Sequence, residues 1–105
     1  MTTDQYEKTC ALTKNIDNLK DDDLEAYLAI GLSGEVGEVQ NLIKKKKYYP
    51  GYNLDETALK DELGDCLYYL TNLASFYGYS LKDIMQCNSV KVKNILDKKT
   101  EQVKI

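Results

Sequence analysis

The sequence predicts an all-α fold of four helices, a short bundle that completes its core by homo-oligomerisation. Three observations lead there. Four segments carry helical apolar spacing, helix-breaking signals separate them, and no strand pattern emerges, since the aromatic cluster after Lys47 is short and interrupted by Pro50. At 105 residues the chain has material for one modest core, so residues 1–105 are expected to form a single domain.

The first helix is expected from Thr3 to about Asn15, with Thr3 or Asp4 as its cap and Tyr6, Cys10 and Thr13 on one side. A polar connection over Asn18 to Asp23 follows. Asp22 and Glu25 have capping-box spacing and start a second helix that runs to about Lys47. Projected at about 100° per residue, Leu24, Leu28, Leu32, Val36, Val39, Leu42 and Ile43 gather on one arc. Glu35 projects between Leu28 and Leu42, and Glu38 onto the edge of the same arc. Gly31, Gly34 and Gly37 recur beside them, although glycine inside a helix costs about 1 kcal/mol against alanine. Close approach of a neighbouring backbone or a ligand explains that cost, as does tight helix packing.

Pro50-Gly51 reads as a turn, and Asn53 with Glu56 supplies another capping-box spacing. A third helix is expected to run from there to about Tyr77. Ala58, Leu59, Leu63, Cys66, Leu67, Leu70, Leu73 and Ala74 form its apolar arc, with Glu62 in the middle and Asp65 on the margin. Gly78 reads as a helix stop and Ser80 with Asp83 as the cap of the last helix. There Leu81, Ile84, Met85, Val92, Ile95 and Leu96 make the expected buried stripe, with Asn88 inside it and Lys91 at its edge. The charged tail from about Lys98 to Ile105 is expected to fray.

Composition narrows the chemistry. A hydrophobic fraction of 43% and a charged fraction of 30% belong to a soluble globular chain. The net charge of −3 argues against a nucleic-acid polymer as partner and leaves room for a smaller polyanion such as a nucleotide. No apolar run reaches the roughly 20 residues of a membrane span, and the amino terminus lacks the layout of a secretory signal. A cytoplasmic location with no membrane partner is expected. Cys10, Cys66 and Cys87 are widely spaced and histidine is absent, which disfavours zinc and disulfide frameworks. Cys10 and Cys66 read as buried small hydrophobes. Acid–base work falls to carboxylates, lysine, tyrosine or metal-bound water.

Glu35/Glu38 and Glu62/Asp65 each have i, i+3 spacing, so each pair shares one helix face. Four carboxylates turned toward a core must take up protons or recruit cations, and no lysine lies inside either motif. Magnesium, with manganese as a substitute, prefers carboxylate oxygen and completes its shell with water and phosphate. A solvated acidic groove, or ion pairs with long lysines, accounts for the same spacing. Lys44 to Lys47 offset the dipole at the carboxyl end of their helix. Lys46 and Lys47 are also candidates for reaching the β and γ phosphates of a bound polyphosphate. Tyr48, Tyr49 and Tyr52 pack against a neighbouring subunit or stack on a base.

Glu-x-x-Glu on one helix, a connection ending in a turn, then Glu-x-x-Asp on the next resembles the all-α nucleoside triphosphate pyrophosphohydrolases of the MazG type. The resemblance covers roughly Leu24 to Asn94. It implies that Glu35, Glu38, Glu62 and Asp65 are magnesium ligands, with Glu35 or Glu38 as the catalytic proton acceptor. Asn88 and Lys91 resemble the Asn-x-x-Lys of the family's last helix, which implies a place near the substrate phosphates. The implied reaction is cleavage of a (d)NTP between the α and β phosphates to a monophosphate and pyrophosphate, which cleanses the nucleotide pool. A homodimer or homotetramer is expected. Gly34 departs from fuller versions of the motif, which carry a glutamate there and so have an extra water-activating candidate. Two further readings are a phosphoribosyl-ATP pyrophosphohydrolase-like enzyme and a non-catalytic helical oligomerisation or adaptor module.

Overall fold

The computed structural model describes residues 1–12 and 19–103, with side chains through residue 100. Among them are four helices and no strand: α1 (Thr3–Leu12), α2 (Asp21–Tyr48), α3 (Glu56–Phe76) and α4 (Leu81–Val103). The expected α-helical class is found. Thr13, Asn15 and Asn18, assigned above to the first helix and the following connection, lie outside the described residues.

Local chemistry sets the helix ends, in three cases one to three residues from the positions expected. α1 is opened by Thr2, whose hydroxyl accepts from the Gln5 amide at 3.1 Å while the Gln5 side chain accepts from the Thr2 amide at 2.8 Å. This is a capping box one residue ahead of Thr3. α2 begins at Asp21 after Lys20, which gives no side-chain cap. Asp21, Asp22 and Asp23 instead place three negative charges in the first turn, where the helix dipole favours them. Glu25 is not a capping partner, because it hydrogen-bonds the Tyr77 hydroxyl at the far end of α3 and raises that tyrosine's pKa. α3 is capped by Asp55 rather than Asn53: its Oδ1 accepts from Thr57 at 2.9 Å and Ala58 at 3.3 Å.

The connections follow their glycines. Tyr49 and Tyr52 close a turn through a 3.2 Å backbone hydrogen bond, with Pro50 second and Gly51 third at φ 78°, the residue pattern of a type II turn. α3 ends on Gly78 at φ 79°, where the Tyr79 amide reaches back to the Ala74 carbonyl and the Gly78 amide to the Ser75 carbonyl, both at 2.9 Å. Ser80 and Asp83 then cap α4 reciprocally, amide to side chain, at 3.1 and 3.0 Å. A second, distant carboxylate joins them, because Glu7 of α1 accepts a hydrogen bond from the Leu81 amide. The α4 helix continues through Val103.

α2 and α3 pack as an antiparallel hairpin, with Tyr27 beside Tyr69 and Glu25 beside Tyr77. α1 and α4 pack on α3 and on each other, and among the described residues neither touches α2. The bundle is therefore open on the α2 side. Leu28 is 1% exposed, and Cys10, Thr71, Asn72, Ala74 and Leu81 are also buried. Val36 and Ile43 of the α2 arc, Leu63, Leu67 and Leu70 of α3, and Met85, Val92, Ile95 and Leu96 of α4 are exposed. The buried stripe expected on α4 is thus not buried within one chain, since beyond Ile84 every described side chain of that helix stands in solvent. The surface totals 8366 Å², against about 6,000 Å² for a compact monomer of this mass. The radius of gyration is 17.7 Å, where a compact chain of this length has about 13 Å.

Of the three α2 glycines, Gly31 alone has a neighbour within contact range of an added Cβ. A Cβ there would lie 2.3 Å from the Tyr69 ring, whereas Gly34 and Gly37 meet nothing within 4 Å. Close approach explains Gly31 and leaves the other two without an explanation inside the chain. Gly31→Ala is expected to destabilise the fold by about 1–3 kcal/mol through overpacking against Tyr69, more than the roughly 1 kcal/mol gained in helix propensity. Urea unfolding measures it; a variant more stable than wild type would remove the ring from that position.

Candidate functional site

The acidic pairs fall at mid-hairpin. Glu35 on α2 and Glu62 on α3 are half-buried, and Asp65, one turn after Glu62, is exposed. One carboxylate oxygen from each lies within 4.8 Å of the others. Glu38 is one turn beyond Glu35, exposed and outside this group. The hairpin register brings the pairs together, because antiparallel packing lays the middle of α2 over the first half of α3.

Three carboxylates so close cannot all stay ionised without compensation. Glu62 bears most of the strain. Its hydrogen bond with Glu35 raises its pKa first, followed by burial and the repulsion of Glu35, Asp65 and Asp61. Its Oε2 is shut off from solvent with no hydrogen-bond partner, although the carboxyl group as a whole stays within reach of Glu35. Among the described residues, the charged groups that shift it are all carboxylates. A buried, orphaned anionic oxygen is a costly arrangement for a protein to keep.

The donor set fits a hard divalent cation. Magnesium–oxygen bonds of about 2.1 Å place opposed oxygens about 4.2 Å apart, so closure onto an ion requires movements of less than about 1 Å. The ligand atoms are all oxygen, as magnesium and manganese prefer. Glu35, Glu62 and Asp65 would hold the ion, and its charge would satisfy the orphaned oxygen of Glu62.

Two tyrosines that spacing did not single out flank this centre. Tyr69 lies four residues after Asp65 and seven after Glu62, on the same helix face, and that periodicity is the signal that would have found it. Its hydrogen bond with Tyr27, then burial, then the nearby Tyr27 and Glu35 push its pKa up to about 12. Tyr6 of α1 is likewise pushed up to about 12 by burial, with Cys10 and Asp65 adding to the shift. The Cys66 thiol is raised by burial and by the surrounding carboxylates, which makes it a poor nucleophile. It is half-buried, less enclosed than expected. Asn72, two turns beyond Asp65, is 1% exposed with an unpartnered amide nitrogen.

The remaining site candidates lie elsewhere in the chain. Lys46 and Lys47 are exposed at the carboxyl end of α2, about 17 Å along the helix axis from Glu35. Lys47 sits 6.0 Å from the Tyr48 ring centroid and Lys44 6.0 Å from that of Tyr49, a cation–π arrangement at the helix end. Asn88 and Lys91 are exposed on α4 beyond Ile84, the last described residue of that helix that is partly buried. The fold and site define an all-α protein with an oxygen-donor acidic centre clasped between two antiparallel helices.

The family model of the MazG nucleotide pyrophosphohydrolase domain matches residues 15–98. The chain belongs to that family. No curated protein and no solved structure matches it. Among the described residues, no helix is long and apolar enough to cross a membrane.

Proposed function

We propose that the protein is a magnesium-dependent nucleoside triphosphate pyrophosphohydrolase that converts free (d)NTPs to monophosphates and pyrophosphate in the cytoplasm. The observation that carries this reading is the convergence of the Glu35, Glu62 and Asp65 carboxylates within 4.8 Å, with the Oε2 of Glu62 shut off from solvent and without a hydrogen-bond partner. Glu35, Glu62 and Asp65 would hold the divalent ion, with Glu38 exposed one turn beyond Glu35. When bound, the ion neutralises triphosphate charge and makes water more acidic. Water attacks the α phosphorus, the bond from that phosphorus to the bridging oxygen breaks, and pyrophosphate leaves. Glu35 or Glu38 receives the proton of the attacking water. Asn88, Lys91, Lys46 and Lys47 serve the substrate phosphates, and residues 1–105 act as one domain within a homodimer or homotetramer.

A product-resolved screen of normal and modified (d)NTPs, with and without magnesium, tests the proposal. Metal-dependent release of pyrophosphate is expected. Orthophosphate as sole product would replace it with terminal-phosphate cleavage, and consumption of no nucleotide would leave a helical adaptor.

A further inference from the structure

We propose that Tyr27 and Tyr69 form a hydroxyl clasp across the α2–α3 hairpin and act as positioning residues for Glu35, holding α2 at the rotation that presents this carboxylate to a bound cation. The role rests on the metal-binding half of the hydrolase reading; the clasp itself rests on the geometry of the hairpin.

Little else fixes the rotation of α2. Among the described residues it packs on α3 alone, and Leu28 is its one buried side chain. Apolar contact is non-directional, so it resists parting of the two helices more than rolling of one on the other. A directional contact is needed to set the roll. Tyr27, Gly31 and Glu35 follow one another at i, i+4 and i+8 and make a single stripe of α2. Glu62, Asp65 and Tyr69 make the answering stripe of α3. Antiparallel packing then sets Glu35 against Glu62 and, two turns away on the same stripe, Tyr27 against Tyr69.

Tyr69 meets α2 at two points. Its ring lies against the Gly31 backbone, where an added Cβ would come within 2.3 Å of the ring. Its hydroxyl is hydrogen-bonded with that of Tyr27, the ring centroids lying 6.1 Å apart at 53°. From its own helix, Tyr68 packs edge-on against the same ring with centroids 5.3 Å apart, a favourable aromatic geometry that limits the ring's swing. The ring contact sets how closely the helices approach, and the hydroxyl bond sets their angle of roll. Glu35 stands one turn beyond Gly31 and acts electrostatically on the Tyr69 phenol, so the clasp borders the acidic centre.

The magnitudes favour a positioning role. A helix with its side chains is about 10–12 Å across, which puts a glutamate carboxylate about 6 Å from the axis. A roll of about 10° moves it by about 1 Å. Ligand distances in a working metal site hold to within about 0.2 Å, and magnesium demands near-ideal octahedral geometry. A roll that leaves the helices packed is therefore enough to take Glu35 out of coordination.

Tyr69→Phe and Tyr27→Phe each remove the hydroxyl bond and keep the ring, and manganese binding followed by electron paramagnetic resonance reads the result. The measurement is made on the folded full chain, well below its melting temperature. Each variant is expected to bind manganese about tenfold more weakly than wild type, the lower end of the range for groups that support a ligand. The double variant is expected to be no weaker than either single one, because the two hydroxyls make one bond. Wild-type affinity in Tyr69→Phe overturns the proposal, and so do two losses that multiply. A merely structural bond would lower the melting temperature of the metal-free protein and leave the manganese affinity of the folded chain unchanged, which also overturns it. A wild-type chain that binds no manganese removes the metal reading and the positioning role together. The expected pattern in a protein that consumes no nucleotide keeps the positioning role and removes the hydrolase reading.

Discussion

Glu62→Gln is expected to reduce pyrophosphate release by at least about a hundredfold while the far-ultraviolet circular dichroism stays that of the wild type. The side chain keeps its size and one oxygen but loses the charge that a divalent ion requires. Its amide also donates a hydrogen bond to Glu35, which now accepts without any proton being shared. The repulsion that raises the Glu62 pKa disappears with it. Thermal melting of the metal-free variant is therefore expected at or above the wild-type temperature, so lost turnover is separable from lost fold. Magnesium-dependent turnover persisting near the wild-type rate would take Glu62 out of the centre.

Stability of the metal-free protein is expected to fall as pH rises from about 4 toward 7, and magnesium is expected to restore it most strongly at the upper end. The sign follows from the raised pKa of Glu62, set first by its hydrogen bond with Glu35 and then by burial and like charge. A group that holds its proton more tightly when folded stabilises the fold below its unfolded pKa, about 4.3. That contribution is lost as pH climbs through the folded value. Added magnesium binds the ionised form, so its stabilising effect grows over the same interval. Melting temperatures across this range, with magnesium or a chelator, measure both trends. A metal-free melting temperature that rises steadily with pH would show that the cluster is not held under charge strain.

The helical class and the approximate span of α2 and α3 were legible because their apolar spacing is long and regular. Placing Glu35 and Glu62 on inward arcs followed from the same projection, and the hairpin register then set them face to face. Caps were less legible: Asn53 and Asp55 both satisfy the residue preference, and only the geometry of the turn after Gly51 decides for Asp55. Spacing predicts that the α4 stripe is buried because it reports that a face is apolar, not which molecule covers it. Tyr69 is not legible as a site neighbour from spacing, because a tyrosine at helical spacing reads as packing; the close approach of its ring to Gly31 of α2 is what reveals it.

Glu7 holds the Leu81 amide from a helix that precedes the family match. Lys91 lies ten residues beyond that anchor, a lever about 15 Å long. A swing of about 10° at the anchor would carry Lys91 through about 2.6 Å, close to the length of a hydrogen bond. α1 thus borders both the acidic centre, where Tyr6 stands near Asp65, and the start of the arm that carries Lys91, so a change in the seating of α1 reaches both.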